Sequence, residues 1–190
     1  MKRNFSDCLE SLPSPEYSEP EYQVLSSPKK TRVITRSHEF IDGLEGSMLD
    51  FVNKDGSITK KRLNLDYNHP KHLVVVFFGV INEFLDPINK SYEKLTKVFN
   101  SEVIAISSNV SKNNYAFPLI NGSKISKKFN VLDPMGGGVY PRDVIMIFDK
   151  EGNKRVEIPV TLYNNYLLDK PIVEVLMDYL EELESEVMTL

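Results

Sequence analysis

The chain is predicted to be an α/β domain, a mixed sheet flanked by helices. Three observations predict it. Leu73-Val74-Val75-Val76-Phe77-Phe78 is apolar at every position, Glu102-Val103-Ile104-Ala105-Ile106 is a second run of the same kind, and an amphipathic segment lies between them. A strand that is apolar on both faces needs cover above and below, as a central parallel strand has, and two such strands joined by a helix form a βαβ unit. The 190 residues, 41% of them hydrophobic, suffice for one domain with a real core and a tail.

In chain order, residues 1–37 are rich in Ser, Pro, Glu and Lys, with prolines at 13, 15, 20 and 28 and no apolar run at helix or strand spacing. This segment is expected to be a disordered tail, and residues 38–190 the folded domain. Met48-Leu49-Asp50-Phe51-Val52 and Ser57-Ile58-Thr59-Lys60-Lys61-Arg62-Leu63 flank Asn53-Lys54-Asp55-Gly56, so a hairpin opens the domain. After the strand at 73–78, Leu85, Ile88, Tyr92, Leu95 and Phe99 recur at spacings of three and four, one face of a helix. Ser123 to Phe129 fits a short helix, and Val144-Ile145-Met146-Ile147-Phe148 a buried strand. Asp149-Lys150-Glu151-Gly152-Asn153 then turns the chain into Lys154-Arg155-Val156-Glu157-Ile158. Pro171 suits the first turn of a last helix, whose stripe is Ile172, Val175, Leu176, Tyr179, Leu180 and Leu183. The order ββ-β-α-β-α-β-β-α implies a mixed sheet with helices on its faces.

Charge and cysteine usage narrow the function. With 23 Lys+Arg against 27 Asp+Glu the formal net charge is −4, so no global basic field draws the chain to nucleic acid or membrane. The longest apolar run, 73–78, is far short of the roughly 20 residues that cross a bilayer, and the N-terminus is too polar for a secretory signal. A soluble, intracellular protein of the nucleus or cytoplasm, not a secreted one, is expected. Cys8 is the one cysteine, which excludes an internal disulfide, a CxxC redox centre and a multi-thiolate zinc site. His38, His69 and His72 stand apart from any second ligand type, so no metal site is expected, and no cofactor. Asp133-Pro134-Met135-Gly136-Gly137-Gly138-Val139 lacks the lysine and the strand-to-helix setting of a phosphate loop and reads as a flexible loop.

The element order, with Asp50-Phe51-Val52-Asn53-Lys54-Asp55-Gly56, Val75-Val76-Phe77-Phe78 and Ile147-Phe148-Asp149-Lys150-Glu151-Gly152-Asn153, resembles a peroxiredoxin on the thioredoxin fold. The likeness is to the AhpC/TSA family, in particular the bacterioferritin-comigratory type and fungal nuclear thiol peroxidases, and it spans about residues 40–184. It implies a thioredoxin-like, peroxiredoxin-type sheet and a peroxide-reducing ancestry. The family's proline, threonine or serine, and peroxidatic cysteine follow the Phe-Phe strand. Here the chain reads Gly79-Val80-Ile81-Asn82-Glu83-Phe84-Leu85-Asp86-Pro87. With Val80 at the family's proline, Pro87 stands at the cysteine position; with one deletion, Asp86 does. Neither register holds a thiol, and a carboxylate cannot pass through the sulfenic acid on which peroxidase turnover depends.

Asp86 is read as the N-cap of the helix with Pro87 at its first position, an arrangement in which the cap is worth about 1 kcal/mol; the other reading is a built-in anion in the former peroxide pocket. The resemblance also implies an arginine before the late strand, near Arg142, with Asp143 competing for the place. Arg142 is read as pairing either with Asp86 or with Asp143, and Pro141 as trans unless it keeps a thioredoxin-like cis bond.

The tail adds Ser27-Pro28-Lys29-Lys30, a proline-directed phosphorylation pattern at Ser27, beside a basic patch of Lys29, Lys30, Arg32 and Arg36. The patch is read either as nuclear targeting with weak phosphate contact or as ordinary solvated tail. Residues 171–190 carry Glu174, Asp178, Glu181, Glu182, Glu184 and Glu186 with no cation, read as a solvated helix face or a docking surface for a basic partner. Three functions follow. The first is a redox-inactive peroxiredoxin-like protein-binding or scaffold module, with a protein partner of unknown identity and homodimerisation as a family prior. The second is a thiol peroxidase that uses Cys8 or a partner's thiol. The third is a small-ligand site in the degenerate pocket.

Overall fold

The computed structural model describes residues 38–65, 70–79, 82–108, 110–160 and 170–187. Residues 1–37, with Cys8, Ser27, Lys29, Lys30, Arg32 and Arg36, lie outside the described residues, as do Val80 and Ile81. The elements are α1 (His38–Glu45), β1 (Leu49–Val52), β2 (Ile58–Lys61), β3 (His72–Phe77), α2 (Leu85–Lys90), α3 (Tyr92–Lys97), β4 (Ser101–Ser107), β5 (Leu119–Asn121), α4 (Ser123–Lys128), β6 (Val144–Phe148), β7 (Lys154–Pro159) and α5 (Ile172–Val187).

The strands form one seven-stranded sheet in the order β2-β1-β5-β4-β3-β6-β7. β4 runs parallel to β3 and to β5, and the remaining pairs are antiparallel. Side chains alternate across the sheet, so the fully apolar strands feed two cores at once. Val74, Val76, Val103, Ala105, Ile145 and Ile147 pack on one face under α2, α3 and α5, which contribute Leu85, Ile88, Leu95, Leu176 and Leu180. Leu73, Val75, Phe77, Ile104, Ile106 and Phe148 pack on the other, under Ile41 and Leu44 of α1 and Ile125 of α4. Leu176 and Leu180 have no exposed surface, and burial on this scale contributes about 1.5–3 kcal/mol per side chain.

The sequence expectation of two hairpins, a βαβ core and a last helix is met, with three differences. The helix spanning Leu85 to Phe99 is two short ones, because Ser91 leaves helical geometry at φ −96°, ψ 2°. Its N–H still reaches back to the carbonyls of Pro87 and Ile88, so the stripe of Leu85, Ile88 and Leu95 stays continuous against the sheet. α1 was not anticipated; among its described side chains Ile41 and Leu44 anchor it. β5 was not anticipated either. Its three residues lie between Pro118 and Gly122, too short for any period to register.

Candidate functional site

The candidate site lies at the exit of β3. The chain leaves the sheet with Phe78 buried, its N–H donating to the carbonyl of Ile106 at 3.1 Å. Gly79 comes next, and its N–H donates to Asp143 Oδ1 at 2.7 Å. A Cβ on Gly79 would stand 2.6 Å from the carbonyl oxygen of Pro141, so only glycine lets the two loops approach this closely. Asp143 in turn passes its carbonyl to the N–H of Val160 at 2.8 Å, tying this end of the sheet to the end of β7. Just before α2, the Asn82 carbonyl accepts the N–H of Leu85 at 2.9 Å.

From α2, Asn89 Oδ1 accepts the N–H of Ala116, in the loop before β5, at 2.7 Å. Buried Asn113 braces the same loop: its Oδ1 accepts the Tyr115 N–H at 2.8 Å, and its amide donates to the Phe117 carbonyl at 3.1 Å. The Tyr115 and Phe117 rings stack at 5.1 Å between centroids, 3° from parallel. The arrangement is a strand exit, a short helix and an aromatic loop, locked together by backbone and amide contacts.

No family model matches the sequence, and no curated protein does. Among solved structures the mitochondrial 2-Cys peroxiredoxin of Plasmodium falciparum is 19% identical, with a TM-score of 0.52 over 74% of this chain and 89% of its own. Plasmodium yoelii Prx1a, whose N-terminally modified form makes an artifactual octamer, is 17% identical, with a TM-score of 0.53 over 73% and 89%. AhpC of Mycobacterium bovis is 16% identical, with a TM-score of 0.52 over 73% and 88%. The chain has the peroxiredoxin fold.

In this peroxiredoxin fold, two expectations about the site need correction. Asp86 is not the N-cap. The cap position is Phe84, in helical geometry at φ −73°, ψ −12°, with no side-chain hydrogen bond to the helix. The turn that starts at Asn82 runs straight into α2, so the helix begins before Asp86, which becomes its exposed second residue, and Pro87 its third. Pro87 still costs nothing there, because the first four N–H groups of a helix have no partner within it. Arg142 pairs with neither Asp86 nor Asp143. Its side chain is 48% exposed and its guanidinium lies 3.8 Å from Glu157 Oε1 on β7, because the loop backbone is pinned at the Arg142 N–H by the Val131 carbonyl. Asp143 instead turns its carboxylate toward Gly79. Among the described residues every peptide bond is trans, including the one before Pro141.

Burial, followed by the charges of Asp133 and Glu83, pushes the Asp143 carboxyl above the usual carboxylate value, against the pull of the Gly79 N–H. Burial and the charge of Asp86 push the Tyr115 hydroxyl upward in the same way. Burial is the largest influence on both groups, and the neighbouring carboxylates act in the same direction. Sequence reasoning treated Asp143 as a rival to Arg142 or as its ion-pair partner, and it missed Asn89, Asn113 and Tyr115. The Asn-Asn-Tyr-Ala-Phe-Pro run at 113–118, polar and aromatic together, was the signal available.

The other candidates resolve simply. The glycine loop is closed on itself: the Asp133 N–H donates to the Tyr140 carbonyl at 2.9 Å, the Asp133 Oδ1 accepts the Met135 N–H at 2.8 Å, and Gly137 and Gly138 take φ of +64° and +71°. His72 is buried and 3.2 Å from Glu184; His69 lies outside the described residues. Among the described residues no three His, Cys, Asp or Glu side chains are grouped to hold a metal, and no helix is long and apolar enough to cross a membrane. The acids of α5 are only partly a free face: Asp178 pairs with Lys170, Glu184 with Lys150 and Glu186 with Arg155.

Proposed function

We propose that this protein is a redox-inactive member of the peroxiredoxin fold that acts as a protein-binding or scaffold module. The observation that carries the reading is the composition of the β3 exit. The residues from Gly79 to Pro87 include no thiol, Asp143 occupies the strand exit, and the Arg142 guanidinium faces Glu157. A peroxidatic cysteine depends on a neighbouring cation to hold it as thiolate, and the groups here are carboxylates. Cys8, the chain's one cysteine, is left as the sole candidate for a peroxidase reading, alone or with a partner's thiol.

The test is hydrogen peroxide consumption by purified protein with excess dithiol, beside Cys8→Ser and a free-thiol control at equal concentration. Wild type is expected to match the control. Turnover well above it, lost in Cys8→Ser, would establish a thiol peroxidase instead. The reading extends to a nuclear location through Lys29, Lys30, Arg32 and Arg36, regulated by phosphate on Ser27, and to self-association as a homodimer. A fluorescent fusion is expected to leave the nucleus on Lys29→Ala with Lys30→Ala; an unchanged distribution would sink the targeting role.

A further inference from the structure

β2 ends the sheet, with β1 on one side and no described strand on the other. Its four residues are all exposed, and Ile58 keeps 54% of its surface in solvent. The Asn53 N–H donates to the Ser57 carbonyl at 2.9 Å, and the register pairs Phe51 with Thr59 and Leu49 with Lys61. Antiparallel pairs alternate between bonded and non-bonded. Ser57, Thr59 and Lys61 therefore spend their main-chain groups on β1, while Ile58 and Lys60 point theirs outward.

This open edge is also cationic. Lys54, Lys60, Lys61 and Arg62 are exposed there, against Asp55 alone among the acids of residues 54–62, and the Asp55 carboxylate is taken up by the N–H and hydroxyl of Ser57. None of the four cations forms an ion pair with a described carboxylate, although Asp50 stands across from Lys60 in the register. Lys61 instead lays its ammonium 4.3 Å from the centroid of the Phe51 ring. Lys112 follows Ser111, whose carbonyl crowds Gly56, so a fifth exposed cation borders the same hairpin.

We propose that β2 is a docking edge for an acidic, extended peptide segment of a partner protein, which adds to the sheet as a further strand. The outward N–H and C=O groups of Ile58 and Lys60 supply strand pairing, and the unpaired cations select acidic side chains. A second copy of the chain is disfavoured at this edge, since it would set lysines against lysines. A long polyanion is disfavoured too, because the strip is only about 14 Å long and the chain as a whole carries −4. The proposal does not depend on the redox reading, since a peroxidase and an inactive scaffold would present the same edge.

The test is fluorescence anisotropy of the full-length protein with a labelled eight-residue peptide of alternating Glu and Val. Comparators are its Lys-for-Glu counterpart, a version N-methylated at alternate residues, and a single-stranded oligothymidine. Saturable binding of the Glu peptide is expected, weakened about tenfold or more by Lys60→Glu with Lys61→Glu and by salt. Ile58→Pro removes an outward N–H and keeps every cation, so it is expected to weaken binding as well. N-methylation tests the same strand contacts without touching the protein, so it answers even where Ile58→Pro fails to fold. Equal binding of the N-methylated peptide would overturn strand addition, tighter binding of the oligothymidine would make the edge a polyanion site, and no binding of the Glu peptide would overturn the proposal altogether.

Discussion

The two hairpins at opposite margins of the sheet share one turn and differ in everything around it. In the first, the Asn53 N–H donates to the Ser57 carbonyl at 2.9 Å and the Gly56 N–H to the Asn53 carbonyl at 3.0 Å. In the last, the Asp149 N–H donates to Asn153 at 2.9 Å and the Gly152 N–H to Asp149 at 3.0 Å. Both glycines are left-handed, at φ +84° and +80°. Yet Lys54 stands in solvent, while its counterpart Lys150 reaches Glu184 of α5 at 2.9 Å. Asn53 sits half-buried, whereas Asp149, its counterpart, is 7% exposed. The same local grammar thus makes an open, cationic margin on one side and a sealed, ion-paired one on the other, and the difference is made by α5.

The comparison breaks most readily at Asp149. Its Oδ1 accepts the N–H groups of Glu151 at 3.1 Å and Asn153 at 2.7 Å, and its Oδ2 accepts the Asn153 amide at 3.2 Å and faces Arg155 at 3.5 Å. Asp149→Ala removes a buried acceptor shared by the Glu151 and Asn153 N–H groups, the Asn153 amide and Arg155, and is expected to cost about 2–4 kcal/mol in denaturant unfolding. Asn53→Ala removes amide contacts to the exposed hydroxyls of Ser57 and Thr59 and is expected to cost under about 1 kcal/mol. Equal losses at the two positions would mean that the covering helix contributes nothing to the last hairpin.

The glycines reverse the ranking. A Cβ at Gly56 would lie 2.9 Å from the Ser111 carbonyl, a fixed backbone atom, while one at Gly152 would meet only the Ile41 side chain at 3.4 Å. Gly56→Ala is expected to cost about 2 kcal/mol and Gly152→Ala about 1 kcal/mol, the latter for the left-handed backbone alone. Here the open margin is the more sensitive one, because the loop carrying Ser111 braces its turn. A larger loss at Gly152 would show the sealed margin to be the tighter of the two.

Both turns were legible in the sequence, since Asp-Gly and Glu-Gly between short strand segments carry their own backbone instructions. So were β3, β4 and β6, whose continuous apolar runs admit few alternatives. What surrounds the turns was not legible. The acids of α5 read as a solvated face because Lys150 and Glu184 are separated by 34 residues in sequence, and no local pattern ties such a pair together. At the site, the lack of a thiol was plain from Gly79 to Pro87, but the exchange of roles between Arg142 and Asp143 was not. Adjacent residues in a loop point differently for reasons of backbone direction, here the Val131 contact at the Arg142 N–H, which residue types do not encode.

The smallest effect separates the margins by pH. His72, 1% exposed at the start of β3, has Glu184 of α5 3.2 Å from its Nε2 and Lys150 and Asp149 of the last turn nearby, while its backbone N–H donates to the Asn100 carbonyl. Burial, the largest influence, joins Lys150 in pushing its pKa below the ordinary 6.5, against Glu184 and Asp149. The unfolded chain then binds a proton that the folded one refuses, so stability is full above 6.5 and falls as pH drops from there through the lowered folded value. The slope is at most about 1.4 kcal/mol per pH unit for one proton, and it is expected to vanish in His72→Gln when unfolding is compared between about pH 7.5 and 5.5. At the first hairpin the sign and window differ. The Ser57 contacts hold Asp55 below its ordinary 3.8, so its contribution persists above that value and is lost only as pH falls beneath it. A wild-type slope near neutrality that survives His72→Gln would place the titrating group elsewhere and detach the sealed margin from pH.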